Sequence, residues 1–250
     1  MATQQQLVNA LLDKHGRTFA SELGADLARN TPAPLFQLLC LALLTSAPVQ
    51  ADIAMRGAKA LIDAGWTTPQ KMRASRWQQR VTALNRAGYA RVDEKTATQL
   101  AELVDTLHSE YGDDLRKVRQ RADGDVNDAR KALKVFKGIG TVGAEIFLRE
   151  VQTVWPEFHP FADKAALAAA GKLALPTRTQ NLAGLIKQDE FARLVAALVR
   201  SQLAKDFDDL REAPNASADR LSIRLPISAR ALLRAPRRDA GGGNDHRSTR

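Results

Sequence analysis

Between Leu133 and Leu148, two stretches with the apolar spacing of helices are separated by only Gly138-Ile139-Gly140. A chain that reverses in so few residues needs backbone able to reach positive φ and to pass close to its neighbours, and glycine supplies both. Ile139 is expected to plug the gap between the two helices, and the small Ala144 to let them cross closely. The amides of the turn and of the helical turn after it then point outward together, where the helix dipole and Lys137 favour a phosphate. Such a contact fixes register on a nucleic-acid backbone without reading sequence. Gly-x-Gly alone describes a helix C-cap followed by a second glycine equally well. The flanking pattern narrows the choice, with Leu133 and Phe136 before the turn and Ala144, Ile146 and Phe147 after it.

The rest of the chain carries the same helical period, as in Leu100, Leu103, Val104 and Leu107, and again in Phe191, Leu194, Val195 and Leu198. An all-α fold follows, because alternating apolar-polar runs are scarce and Leu221-Ser222-Ile223-Arg224-Leu225 is the one short strand candidate. Helices are predicted over 3–14, from Thr31-Pro32 to about Leu44, and over 51–64, 75–84, 93–111, 113–121 and 125–137, with punctuation at Gly65, Gly88, Gly112 and Gly124. Another begins at Thr141 and stops near Trp155-Pro156, and helices over 163–173 and 187–205 complete a helical domain spanning 1–210. From Ala213 the composition turns to Arg, Pro, Ser and Ala and ends in Gly241-Gly242-Gly243 and a polar terminus. A basic, flexible tail is predicted over 213–250, in which only 221–233 is apolar enough to dock.

Charge narrows the partner. Lys and Arg number 37 against 28 Asp and Glu, and the net charge of +9 favours a polyanion such as nucleic acid, although six arginines and no acid lie between Arg220 and Arg238 in the tail. An apolar content of 44% is enough for the core of a soluble globular protein. The single Cys40, within the apolar run Leu35 to Leu44, packs as a hydrophobe and leaves no disulfide framework. With the scattered His15, His108, His159 and His246 it assembles neither an iron-sulfur cluster nor a structural zinc site, so no metal or cofactor is expected. No basic-then-apolar leader and no run near the ~20 apolar residues of a membrane span are visible, which predicts a cytoplasmic, nucleoid-associated protein.

Together these segments resemble the helix-hairpin-helix (HhH-GPD) DNA glycosylase superfamily, in particular its endonuclease III-like members. Leu133 to Leu148 looks like the hairpin signature, and Phe161-Ala162-Asp163-Lys164 is similar to the family's aspartate segment, a few residues later than usual. Pro34 to Leu39, leading to Leu44-Thr45-Ser46-Ala47, is similar to the early helix and its serine-containing loop, and Ala87-Gly88-Tyr89 with Lys95 and Ala97 resembles the segment before the long middle helix. The similarity spans about residues 30–205. It implies a two-lobed all-α fold that grips DNA through Lys137, Gly138, Ile139, Gly140, Thr141 and Gly143. It also implies a monomer acting on double-stranded DNA that contains a lesion or mismatch.

Removing a base breaks a C–N bond through an oxocarbenium-like sugar, and a nearby carboxylate stabilises that charge or orients the incoming water. The resemblance gives this role to Asp163, which is also the natural N-cap of a helix starting at Lys164, and the two roles are compatible. Relatives that also cut the strand carry a lysine two residues after the hairpin's second glycine, as the amine of a Schiff base. Here that position is Val142, and Lys137 and Lys164 are not at the matching place. The resemblance thus implies a monofunctional glycosylase that uses water, or else a non-catalytic module that recognises DNA structure; a helical scaffold for another protein is a third reading. Such enzymes extrude the base and fill the gap with a wedge, and Pro48-Val49-Gln50 makes Gln50 the candidate, against an ordinary polar loop. Trp66, Trp77 and Trp155 are candidates either for stacking on a base or for core. The base itself stays open among alkylated purines, oxidised pyrimidines and mismatched thymine or adenine.

Overall fold

The structure, a computed structural model, describes residues 3–212, and every regular element among them is helical. In chain order these are α1 (Gln4–His15), α2 (Phe19–Leu23), α3 (Pro32–Thr45), α4 (Ala51–Asp63), α5 (Pro69–Ala74), α6 (Trp77–Arg86) and α7 (Asp93–Tyr111). They are followed by α8 (Arg116–Ala122), α9 (Val126–Leu133), α10 (Thr141–Val151), α11 (Lys164–Lys172), α12 (Thr179–Ala183) and α13 (Phe191–Ala204). Short 3-10 turns lie at Leu27–Arg29, Pro156–Phe158 and Gln188–Glu190. The expected tail over 213–250 and the strand candidate at 221–225 lie outside the described residues. No described helix is long and apolar enough to cross a membrane.

The centre of the molecule is α3. Its prolines stand in the first turn, where a missing N–H costs nothing, and its remaining surface is apolar nearly all round, so it is buried on every side. It packs on α4 and α7 and is crossed by α10, the helix that follows the glycine turn. The α4 to α7 helices gather around one side of α3, while α13 packs on α1, α10 and α11. One continuous apolar core runs through both groups. Buried polar groups fasten the joints: Arg80 donates to Ala97 O at 3.0 Å, tying α6 to α7, and the Tyr89 hydroxyl donates to Leu44 O at 2.9 Å at the end of α3.

Several boundaries differ from expectation for local reasons. The helix expected over 125–137 ends at Leu133, and the reversal occupies residues 134–140. Past Lys134 the backbone bonds close over three residues instead of four, as in Val135 N–H to Ala132 O and Phe136 N–H to Leu133 O, both 3.3 Å, which swings Phe136 inward against Tyr111. The helix expected from Asp113 begins only at Arg116, because Asp113 takes φ 66° directly after the left-handed Gly112. The helix expected over 75–84 is α6, and Ser75 instead terminates α5, which with α2 and α12 is too short to display a period.

Candidate nucleic-acid interface and catalytic cleft

In the hairpin, each glycine answers a different demand. Gly138 adopts φ +88°, and a Cβ there would lie 2.5 Å from Leu43 Cδ1 and 2.8 Å from Gln99, so it is needed for the turn's approach to α3 and α7. A Cβ on the buried Gly143 would collide with the Ser46 hydroxyl and meet Ile139 at 3.4 Å. Gly140 is different, with φ −87°, solvent exposure and nothing within 4 Å of a Cβ. Ile139 is only 3% exposed and fills the space between the helices. Of the six residues expected to grip DNA, Lys137, Gly140 and Thr141 reach the surface, whereas Ile139 and Gly143 shape the turn from inside and Gly138 is half-buried. No side chain caps α10, and its first helical bond is Ala144 N–H to Gly140 O at 3.0 Å, so the amides of its first turn are left for another acceptor.

Asp163 caps α11, its Oδ1 accepting the Ala166 N–H at 2.8 Å. Its Oδ2 accepts from Arg149 Nη1 at 2.5 Å, and both side chains are buried. The approach to Asp163 is fixed from the C-cap of α10, for Gln152 donates to Phe161 O at 2.9 Å and accepts the Phe161 N–H at 3.0 Å. Next to Arg149 lies Glu150, only 1% exposed, whose Oε2 accepts the Ala20 N–H at 2.8 Å at the start of α2. Burial pushes the Glu150 carboxyl above the usual carboxylate range, opposed by the positive charge of Arg149.

These residues border a cleft of about 760 Å³, within the range of sites that hold a small organic molecule (about 300–1,000 Å³). Thr141, Val142, Glu145, Ile146 and Arg149 form one wall, Asp163, Lys164, Ala165, Ala168 and Lys172 a second, and Val199, Gln202 and Leu203 of α13 a third. Leu41, Thr45, Ala51 and Phe19 complete it. Asp163 and the start of α10 therefore share one concavity. Val142 is 61% exposed there and brings no amine, while Lys164 and Lys172 do line the cleft.

Gln50 lies elsewhere. As the exposed residue before α4 it lines a neighbouring cleft of about 560 Å³ that shares Phe19, Ala51 and Leu203 with the first. None of the three tryptophans lines the main cleft. Trp155 is fully buried between Phe147 and Phe158 and donates to Asn30 at 3.2 Å, which makes it core; Trp77 donates to Thr98. The aromatic residue at the site is Phe19, with the Arg200 guanidinium 4.1 Å and the Arg149 guanidinium 5.1 Å from its ring centre. Sequence reasoning passed over Phe19, Glu145, Arg149, Glu150 and Gln152, because only packing brings them to Asp163. Compared with family models, curated proteins and solved structures, the chain gives no match.

Proposed function

We propose that this protein is a monofunctional DNA glycosylase of the helix-hairpin-helix superfamily, with that superfamily's two-lobed fold, acting as a monomer on double-stranded DNA with a damaged or mismatched base. The observation that carries the reading is that Asp163 and the hairpin residues Thr141 and Val142 line one cleft large enough for a nucleotide. With Lys137, Gly140 and the free amides of α10 on the phosphates, an extruded nucleotide enters the cleft beside them. The base leaves with the electron pair of its bond to C1′, positive charge spreads over C1′ and the ring oxygen, and the Asp163 carboxylate stabilises it. Water adds at C1′ and the proton it loses passes to the departed base, which leaves a free base and an abasic sugar in an unbroken strand. Val142 offers no nucleophile for a covalent alternative at the position where strand-cutting relatives carry lysine.

A second reading, a non-catalytic module that recognises DNA structure, is favoured by one observation: both Asp163 oxygens are already engaged, by Ala166 and by Arg149. A panel of duplexes, each with one lesion or mismatch, separates the two. For a glycosylase, at least one duplex is cut after hot alkali and stays whole without it, and borohydride traps no protein-DNA adduct. A trapped adduct overturns the hydrolytic mechanism. Duplex binding without excision across the panel overturns catalysis and leaves the second reading.

A further inference from the structure

Asp163 contributes to the proposed reaction only if its charge reaches the sugar, yet Arg149 holds it at 2.5 Å. Beside this pair, Arg149 Nε and Glu150 Oε1 are buried without hydrogen-bond partners and lie 3.7 Å apart, just beyond bonding distance. Two unsatisfied atoms in an interior cost free energy, and a small movement that joins them recovers it. Glu150 is anchored by its other oxygen to the Ala20 N–H, so the mobile member is the guanidinium, at the edge of the cleft. Arg149 thus stands between two carboxylates, bonded to one and nearly bonded to the other.

We propose that Glu150 is a positioning residue for Asp163: it takes Arg149 Nε when a positively charged sugar occupies the cleft, which frees Asp163 Oδ2 to face that sugar. This rests on the reading of the cleft given above. The exchange replaces one charge-assisted hydrogen bond by another, so the two arrangements are close in free energy and the arriving charge decides between them. Without Glu150, release of Asp163 would leave a buried guanidinium unpaired, which is strongly unfavourable. The device also explains why the interior tolerates the gap between Nε and Oε1.

Two synthetic duplexes test this without knowledge of the base. One carries a pyrrolidine at a single position, a cationic mimic of the oxocarbenium sugar, and the other carries the neutral tetrahydrofuran analogue. The full chain is expected to bind the cationic duplex roughly ten- to hundredfold more tightly, the range of one hydrogen bond to a charged group. Asp163→Asn removes that preference. Glu150→Gln, which retains an acceptor for Ala20, is expected to lose most of the preference with unchanged affinity for the neutral duplex and no lower melting temperature. Adding Arg149→Leu to it restores the preference, because no side-chain donor at position 149 then holds Asp163 Oδ2. Glu150→Asp, which withdraws the charge by one methylene, gives an intermediate loss. A Glu150 that merely supports α2 would shift both duplexes together, with no rescue. Full preference in Glu150→Gln overturns the positioning role and leaves that of Asp163 standing, whereas no preference in the unsubstituted protein overturns the reading of Asp163 itself.

Discussion

Arg149 and Asp163 form a 2.5 Å charge-assisted hydrogen bond between side chains no more than 5% exposed, joining the body of α10 to the N-terminus of α11. The carboxylate therefore does three things at once: it caps a helix, neutralises a buried guanidinium and borders the cleft. Substitutions can separate these duties. Asp163→Asn keeps the cap and is expected to retain DNA affinity while single-turnover excision falls by roughly 10²–10³, the range for one lost electrostatic stabiliser. Asp163→Ala loses the cap, about 1 kcal/mol in equilibrium denaturation, and leaves Arg149 to Glu150 alone; adding Glu150→Gln strands the guanidinium and is expected to cost about 3–5 kcal/mol more.

The hairpin glycines are expected to divide into structural and interfacial ones. Gly138→Ala forces a side chain into φ +88° and against Leu43, and should cost at least about 1–3 kcal/mol in thermal or chemical melts. Gly140→Ala meets open space at an ordinary φ, so its stability should stay within about 0.5 kcal/mol of the parent. Gly140→Val is then a clean probe of the interface. It should fold normally and weaken binding to all duplexes alike, and unchanged affinity would remove Gly140 from the grip.

Lys137 is exposed at the mouth of the same turn. If it meets a phosphate, Lys137→Ala lowers the slope of log affinity against log salt by about 1, regardless of sequence. A titration over several salt concentrations checks this. An unaltered slope would place the lysine away from the backbone.

Glu150 gives the protein a pH signature. Burial raises its folded-state pKa above that of the unfolded chain, so folding binds this proton more tightly. Its contribution to stability is present below the ordinary carboxylate value of about 4.3 and is lost as pH rises through the raised folded value. Glu150→Gln abolishes that titration. The variant should therefore gain stability relative to its parent as pH is raised from about 4 toward neutrality, and a difference in melting temperature that stays flat over this range would count against it.

Much of this arrangement was legible in the sequence where a local rule acts alone. The bounds of α7, Asp93–Tyr111, follow from acidic residues in its first turn and Gly112 after its last, and Ile139 reads as a plug because it stands between two glycines on an apolar stripe. The cap at Asp163 is equally local. What surrounds Asp163 is not, since Arg149 on α10 and Gln152 at its C-cap read as ordinary polar positions until the chain turns back at Phe161. Phe19 comes to the cleft from α2, more than a hundred residues away, in a helix of five residues that no periodicity reveals. At Trp155 the sequence leaves a stacking platform and a core position open, and Phe147 and Phe158, which enclose it, make it core.

The packing of α1 on α13 sets an order of events during synthesis. Leu7, Val8 and Leu11 are buried in the finished fold, where His15 Nε2 lies 2.8 Å from Asp206 Oδ2 across 191 residues of chain. On a ribosome that adds about 5–20 residues per second, that face of α1 waits roughly 10–40 s for its partner to emerge. Over the same interval the cleft has only two of its walls, because Val199, Gln202 and Leu203 arrive with α13. A nascent chain stalled before Phe191 therefore has an open apolar helix for chaperones and proteases and no enclosed site for a ligand.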